Sequence, residues 1–178
     1  MNNSSEDKKQ AFLKISQLIL SGKSLTRRIE EMKKERFLRD PVVDLNEYRK
    51  LRESPPRKTA LIADSEDQAG SDLARMLEKE GFNLLVAHDA SELGRIIEND
   101  PFDLFFVDPA LDWLDAHELC YLMKGNKVLR KIPVVFVAKD SPKGAIRKAF
   151  ESGCDEYVTK PINSEKLLRT LKYFLENM

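Results

Sequence analysis

Short apolar runs alternate with longer amphipathic segments over the last two-thirds of the chain. Five of the runs predict buried strands, at residues 59–63, 82–87, 104–107, 133–138 and 156–159. The other segments carry apolar side chains at helical spacing and predict helices over 67–80, from Asp89 onward, over 116–123 and 143–152, and from Ser164 to the C-terminus. Strands that alternate with helices pair in parallel through right-handed crossovers. The pattern therefore predicts an α/β fold in which helices cover both faces of a five-stranded parallel sheet.

The first 56 residues follow a different pattern. Apolar residues at helical spacing predict a helix over about 7–20, and two further helices are expected at 24–38 and after Asp44. The apolar stripe of the second helix is thin, so this segment either packs against the rest of the chain, another copy or a partner, or forms a partly disordered arm. Pro55 and Pro56 predict a stiff linker. We therefore expect a helical N-terminal extension at 1–56 and a separate domain at 57–178.

The charge balance argues against nucleic acid or a membrane surface as a partner. Lys plus Arg and Asp plus Glu number 30 each, although residues 1 to 56 hold 13 basic and nine acidic side chains. The start MNNSSEDKK lacks the features of a secretory signal, and the apolar stretch at 11–20 is too short and polar to span a bilayer. Cys120 and Cys154 show no metal-ligand spacing and are expected to be small core residues. These features predict a cytoplasmic protein.

Candidate chemistry centres on residues 103–119, where a buried strand runs directly into Asp108. The carboxyl edge of a parallel sheet is where ligands bind, although Asp108 could equally be a turn or capping aspartate. Asp64 follows the first strand and should emerge at the same edge, with Ser65 and Glu66 next to it. Converging carboxylates repel one another unless a cation neutralises them, and Mg²⁺ or the amine of Lys160 could do so.

Four segments in register resemble the receiver domain of bacterial two-component response regulators. They are LIADSED, DLFFVD, IPVVFVAKD and ESGCDEYVTKPI, and the resemblance covers residues 58–178. It implies a flavodoxin-like, doubly wound sheet of five βα units. It also implies a phosphorylation site that is served by a histidine kinase or a phosphotransfer protein.

The resemblance implies a role for each matching residue. Asp108 would be the phosphoacceptor, and Asp64, Asp108 and the backbone carbonyl of Ala110 would hold Mg²⁺. Lys160 would pair with the phosphoryl group, the bond between Lys160 and Pro161 would be cis, and Tyr157 would be the family's rotating aromatic.

This sequence also departs from the family pattern. Ser65 replaces the second acidic metal ligand, which should weaken Mg²⁺ binding, with Glu66 as a candidate substitute. Ala138 replaces the Thr or Ser whose hydroxyl contacts the phosphoryl oxygen, so the usual coupling of phosphorylation to surface change is in doubt. In the loop after Asp108, Asp112, Trp113 and Ala116 stand where the family has Pro or Gly. Trp113 would be either an exposed contact residue or folded back onto the domain.

Two functions remain open on the sequence. The first is a response regulator that is phosphorylated at Asp108 and acts through protein contacts, because only its own last helix follows the predicted receiver. The second is a pseudo-receiver adaptor whose contacts do not depend on phosphate, as Ser65 and Ala138 suggest. An enzyme of the phosphatase type is weaker, because further acidic residues and a lid are lacking.

The remaining open points concern the extension and the histidines. The N-terminal helices could self-associate, cover one face of the receiver or dock to a larger assembly. His88 and His117 are expected to be surface or helix-start residues.

Overall fold

The computed structural model of the chain describes residues 3–20, 57–64 and 72–176, with the side chains of residues 3–8 and 11 left undescribed. The helices are α1 (Asn3–Leu20), α2 (Asp72–Lys79), α3 (Ala90–Asn99), α4 (Ala116–Gly125), α5 (Ala145–Glu151) and α6 (Ser164–Glu176), with a 3₁₀ turn at Leu129–Lys131. The strands are β1 (Thr59–Ala63), β2 (Asn83–Ala87), β3 (Leu104–Val107), β4 (Val134–Ala138) and β5 (Glu156–Thr159). The five predicted strands are confirmed to within a residue at either end.

Some predictions fall outside the described residues. The expected helices at 24–38 and after Asp44, the linker at Pro55 and Pro56, and the first part of the helix expected over 67–80 all lie there. The domain boundary between residues 56 and 57 consequently stays a prediction.

The sheet is entirely parallel, with strand order β2-β1-β3-β4-β5. Strand β3 lies at its centre beside β1, and all residues of both strands are buried. Alternate residues face opposite sides: Leu61 and Ala63 join a core cluster with α1, α3 and α4, whereas Ala60 and Ile62 join a second cluster with α2 and α6. Burial on both faces explains why these strands are continuous apolar runs rather than alternating ones. The predicted fold class is confirmed.

Local capping residues fix where the helices begin and end. Asp89 Oδ1 accepts hydrogen bonds from the backbone N–H groups of Ser91 and Glu92, at 2.7 and 2.8 Å, while Glu92 Oε2 accepts from the N–H of His88 at 2.9 Å. This reciprocal arrangement resembles a capping box, with Glu92 accepting from the residue that precedes the N-cap Asp89. Gly81 follows α2 at φ +83°, a conformation that side chains with a Cβ atom rarely adopt.

Helix α1 packs onto the domain along the groove between α3 and α4. Ile15 and Ile19 are buried in the first core cluster, and the side chain of Asn126 donates a hydrogen bond to the backbone carbonyl of Ile19. Of the placements left open for the N-terminal helices, α1 takes the one that covers a face of the domain.

Candidate functional site

The predicted carboxylates emerge at one edge of the sheet. Because Ala63 is paired with Val107 in the register of β1 and β3, the residues that follow them, Asp64 and Asp108, leave adjacent strands at the same end. The backbone N–H of Asp108 donates to the carbonyl of Ala63 at 3.2 Å, which extends the ladder by one residue. The side chain of Asp64 is only 12% exposed. The edge therefore holds a buried carboxylate beside a more accessible one.

Lys160 reaches the same edge from β5. Its backbone N–H donates to the carbonyl of Ala138 at 2.9 Å, and its Nζ lies 3.6 Å from Asp64 Oδ2. The peptide bond from Lys160 to Pro161 is cis, as the resemblance implies. The lysine thus contacts the carboxylate of the first strand, which leaves its expected role toward a group on Asp108 as a prediction.

Asp108 combines the two interpretations that the sequence left open. Its Oδ1 accepts a hydrogen bond from the backbone N–H of Ala110 at 2.8 Å, which is the contact of a turn aspartate. Its position is also that of a carboxylate at the carboxyl edge beside Asp64. The turn contact holds the side chain in one orientation, so the two roles are compatible.

The loop that follows Asp108 packs inward. Leu111, Trp113 and Leu114 are 8%, 8% and 5% exposed and belong to the same core cluster as α1, α3 and α4. Asp115 then caps α4, because its Oδ1 accepts from the N–H of Glu118 at 3.0 Å. Of the two interpretations of Trp113, the one with the ring folded back onto the domain is correct, and the exposed contact residue is wrong.

Two further positions of the family pattern lie close to this edge. Ala138 is the last residue of β4 and is 2% exposed, so the side chain at this buried position is a methyl group without hydrogen-bonding capacity. Tyr157 is partly buried on β5 and its hydroxyl donates to the carbonyl of Asp140 at 3.3 Å. The tyrosine is therefore tied to the loop that follows β4.

His117 is the second residue of α4, so it lies at a helix start, which is one of the two positions expected for it. It is partly buried, and its Nδ1 is buried without a hydrogen bond from any described residue. Its ring meets Phe136 edge to face, with centroids 5.1 Å apart. Burial lowers the pKa of His117, and the positive charge of Lys148 lowers it further against the opposing effect of Asp115. His88 is exposed, as expected.

The chemistry of the edge suits a hard divalent cation. Mg²⁺ prefers oxygen ligands and keeps several of its waters, so the carboxylates of Asp64 and Asp108 and the carbonyl of Ala110 would be its candidate ligands at this edge. Ser65 and Glu66 lie outside the described residues, and within 3–20, 57–64 and 72–176 no three His, Cys, Asp or Glu side chains cluster as metal ligands. A site with two carboxylates fits the ion but should hold it less tightly than one with three.

The sequence did not predict which residues hold α1 against the domain. A Cβ atom at Gly94 of α3 would lie only 3.3 Å from Cγ1 of Ile15, so the glycine permits a close approach of the two helices. A glycine inside a predicted helix is the one available signal of such packing. The bond from Asn126 to Ile19 had no signal, since it joins residues 107 positions apart.

The family follows from a comparison with known proteins. The model of the response regulator receiver domain matches residues 60–172, which is more than half of the chain. The chain therefore belongs to the response regulator receiver domain family. Receiver domains are in general signal transducers rather than enzymes, and phosphorylation and Mg²⁺ binding are typical of them.

Individual relatives agree with this assignment. The chain is 32% identical over 103 residues to Protein PilG of Pseudomonas aeruginosa, covering 54% of this chain and 72% of that one. It is 29% identical over 118 residues to the alkaline phosphatase synthesis transcriptional regulatory protein PhoP of Bacillus subtilis, covering 66% of this chain and 48% of that one. The chain spans about half the length, or less, of several transcriptional regulators that it matches.

Solved structures of other proteins share the five-stranded parallel α/β fold of this chain. A two-component response regulator from Clostridium difficile aligns with a TM-score of 0.58 at 28% identity, over 67% of this chain and 97% of that one. The receiver domain of the sensor histidine kinase PA1611 from Pseudomonas aeruginosa, solved with a magnesium ion in its active site cleft, shares the fold at 18% identity and a TM-score of 0.59, over 67% of this chain and 98% of that one.

Within the described ranges, no helix has the length and apolarity that a bilayer span requires.

Proposed function

We propose that this chain is a response regulator whose receiver accepts a phosphoryl group on Asp108. A carboxylate oxygen of Asp108 would attack the phosphorus of a phosphohistidine on a histidine kinase or phosphotransfer protein. The bond from phosphorus to the imidazole nitrogen breaks, the imidazole keeps the electron pair and takes a proton, and an acyl phosphate forms on Asp108. No oxidation or reduction is involved.

The juxtaposition of Asp64, Asp108 and Lys160 at one sheet edge carries this proposal. Asp108 is held by the N–H of Ala110, and Lys160 Nζ lies 3.6 Å from Asp64 Oδ2. Bound Mg²⁺ would neutralise the negative charge that gathers on the phosphoryl oxygens. Asp64, Asp108 and the carbonyl of Ala110 would hold the ion, with Glu66 as a further candidate in place of an acidic residue at Ser65. Lys160 could then turn from Asp64 toward the phosphoryl group.

We propose further that the output of the receiver is protein contact. Ile146 and Phe150 are both 48% exposed and lie four positions apart on α5, so they form one apolar pair on the surface of that helix, which favours a protein target.

A phosphate-independent adaptor is the second candidate, and Ala138 favours it. A buried methyl group cannot accept or donate the hydrogen bond that would pull the β4 loop toward a phosphoryl group. Lys160 is also already paired with Asp64. Such a protein would present the same face whether or not a phosphoryl donor is present.

Intact mass spectrometry after incubation with Mg²⁺ and acetyl phosphate separates the two candidates. The phosphorylated receiver predicts the gain of one phosphoryl group in the parent chain and none in Asp108→Asn, which keeps the size of the side chain but loses the nucleophile. Asp112→Asn is the matched control, because it removes a carboxylate from the same loop, and it should be labelled like the parent. Equal labelling of the parent and Asp108→Asn would contradict the assignment of Asp108, and labelling of none of the three chains would favour the adaptor.

A further inference from the structure

Helix α1 occupies a fitted groove rather than a loosely covered surface. Ile15 and Ile19 are 1% and 0% exposed, and Gly94 is the residue of α3 that lets Ile15 approach so closely. Asn126, just after α4, donates to the carbonyl of Ile19 and so engages the last described turn of α1. Leu13 of the same helix is 57% exposed. The helix is therefore seated by one face, at a defined position.

Helix α4 connects this groove to the candidate site. Its first turn is capped by Asp115, at the end of the loop that begins at Asp108. Its last residue precedes Asn126, which holds α1. The buried loop residue Trp113 and the buried α1 residue Ile15 belong to one continuous core cluster. A rearrangement of the loop would thus be transmitted through packed side chains to the seat of α1.

A phosphoryl group on Asp108 would act on this loop first. The N–H of Ala110 donates to Oδ1 of the Asp108 carboxylate, and that bond depends on the negative charge shared by the two carboxylate oxygens. In an acyl phosphate the charge moves to the phosphoryl oxygens, so the Ala110 N–H has a reason to change partner. Since Ala138 offers no hydroxyl on β4, the loop and α4 are the direct path by which the change can spread.

We propose that α1 is a built-in regulatory helix whose docking opposes the loop arrangement that a phosphoryl group on Asp108 favours. This inference rests on the proposed function, in which Asp108 accepts the phosphoryl group. Coupling between two sites is reciprocal, so the phosphoryl group loosens α1 and the undocking of α1 tightens binding of a phosphoryl mimic by the same factor.

The test measures beryllofluoride binding, in the presence of Mg²⁺, to three full-length chains by titration calorimetry. Ile15→Asp places a charge in the groove and releases α1, while Leu13→Asp places the same charge on the exposed side of the same helix. Coupling of ordinary size predicts that Ile15→Asp binds the mimic at least about fivefold more tightly than the parent, and that Leu13→Asp stays within about twofold of it. Trp113, the sole tryptophan, provides an independent fluorescence signal from the loop.

Hydrogen exchange on the unsubstituted chain provides a second measurement that needs no variant to fold. Amides of residues 9–20 should exchange faster when beryllofluoride is bound than in its absence. Equal affinity of the mimic for all three chains, or unchanged exchange of α1, would overturn the regulatory role while leaving the receiver function intact. If the mimic binds none of the chains and acetyl phosphate fails to label Asp108, the proposed function itself is wrong and the inference falls with it.

Discussion

Two pairs of lysine and aspartate lie at opposite ends of the sheet, and they are built differently. At the amino end, Lys124 Nζ lies 2.6 Å from Asp155 Oδ2 and also donates to the carbonyl of Ile132 at 2.9 Å. Asp155 Oδ2 accepts in addition from the N–H of Val134 at 2.7 Å. At the carboxyl end, Lys160 Nζ lies 3.6 Å from Asp64 Oδ2, beyond hydrogen-bond distance.

We interpret the pair of Lys124 and Asp155 as structural and the pair of Lys160 and Asp64 as able to rearrange. Lys124 and Asp155 are held by backbone groups as well as by each other, so neither can move without leaving a polar group unsatisfied. Lys160 lies near Asp64 by charge attraction without a short hydrogen bond, so it is freer to move toward a new anion than Lys124 is. A loosely held pair at a sheet edge is what a site needs if it is to accept a phosphoryl group.

The largest expected effect comes from Asp155→Ala at the amino end. The substitution removes the acceptor of the Val134 N–H and the counter-charge of Lys124, whose amine keeps only backbone carbonyls such as that of Ile132, and we expect a loss of about 2 to 3 kcal/mol in the free energy of unfolding. Urea denaturation measures it. Arg75→Ala is the control, because the pair of Arg75 with Asp72 is 61% and 90% exposed, and its loss should cost less than about 1 kcal/mol. Equal losses in the two variants would mean that the amino-end pair is not structural.

Lys160→Ala should separate function from stability at the carboxyl end. The pair with Asp64 has no short hydrogen bond, but Asp64 is only 12% exposed, so we expect its removal to lower the free energy of unfolding by about 1 to 2 kcal/mol, less than Asp155→Ala does. Labelling of Asp108 by acetyl phosphate should nevertheless fall severalfold, since the amine is the cation that could face the phosphoryl group. Lys160→Arg, which keeps the charge, controls for electrostatics alone. If Lys160→Ala lost much stability but was labelled normally, the pair at the carboxyl end would be structural rather than functional.

Most of the fold could be predicted from the sequence, because its signals are local. The apolar runs fixed the strands, Asp89 and Glu92 fixed a helix start, and parallel pairing brought Asp64 and Asp108 to one edge. The seat of α1 could not be predicted. It depends on the approach of Ile15 to Gly94, 79 positions apart, and no local pattern specifies such a contact.

The candidate site shows the same division. The sequence indicated which polar residues reach the edge, but it could not say that Lys160 contacts Asp64, or that Trp113 folds inward while His117 loses solvent contact at Nδ1. These outcomes depend on side-chain packing between elements that are distant along the chain.

The two cysteines test how well the amino end of the sheet excludes solvent. Burial raises the pKa of Cys120 to about 11 and that of Cys154, which adjoins Asp155, to about 12. An unfolded chain with thiol pKa values near 9.0 releases these protons first, so the contribution of the two thiols to stability should be constant below about pH 9 and decline as the pH rises toward 12. Urea denaturation of the parent and of Cys154→Ala across this range measures it. The decline should be smaller in the variant, and identical slopes would contradict the assignment to Cys154.

The smallest expected effect is the contribution of His117 to the pH dependence of stability. His117 lies near the carboxyl end of the sheet, at the start of α4. Burial is the main reason that the pKa of His117 is below 6.5 in the folded chain, and Lys148 adds to the effect. An unfolded chain therefore takes up the proton first on acidification, so the contribution of His117 to stability is complete above pH 6.5 and declines as the pH falls below it. His117→Gln, which is polar but does not titrate, should have a flatter dependence of the free energy of unfolding between pH 7 and 5. His88→Gln, at an exposed position, should keep the slope of the parent. If the free energy of unfolding of both variants depends on pH as that of the parent does, the partly buried His117 does not contribute to the pH response. The buried polar groups near the carboxyl end would then cost the fold no more than those at the amino end.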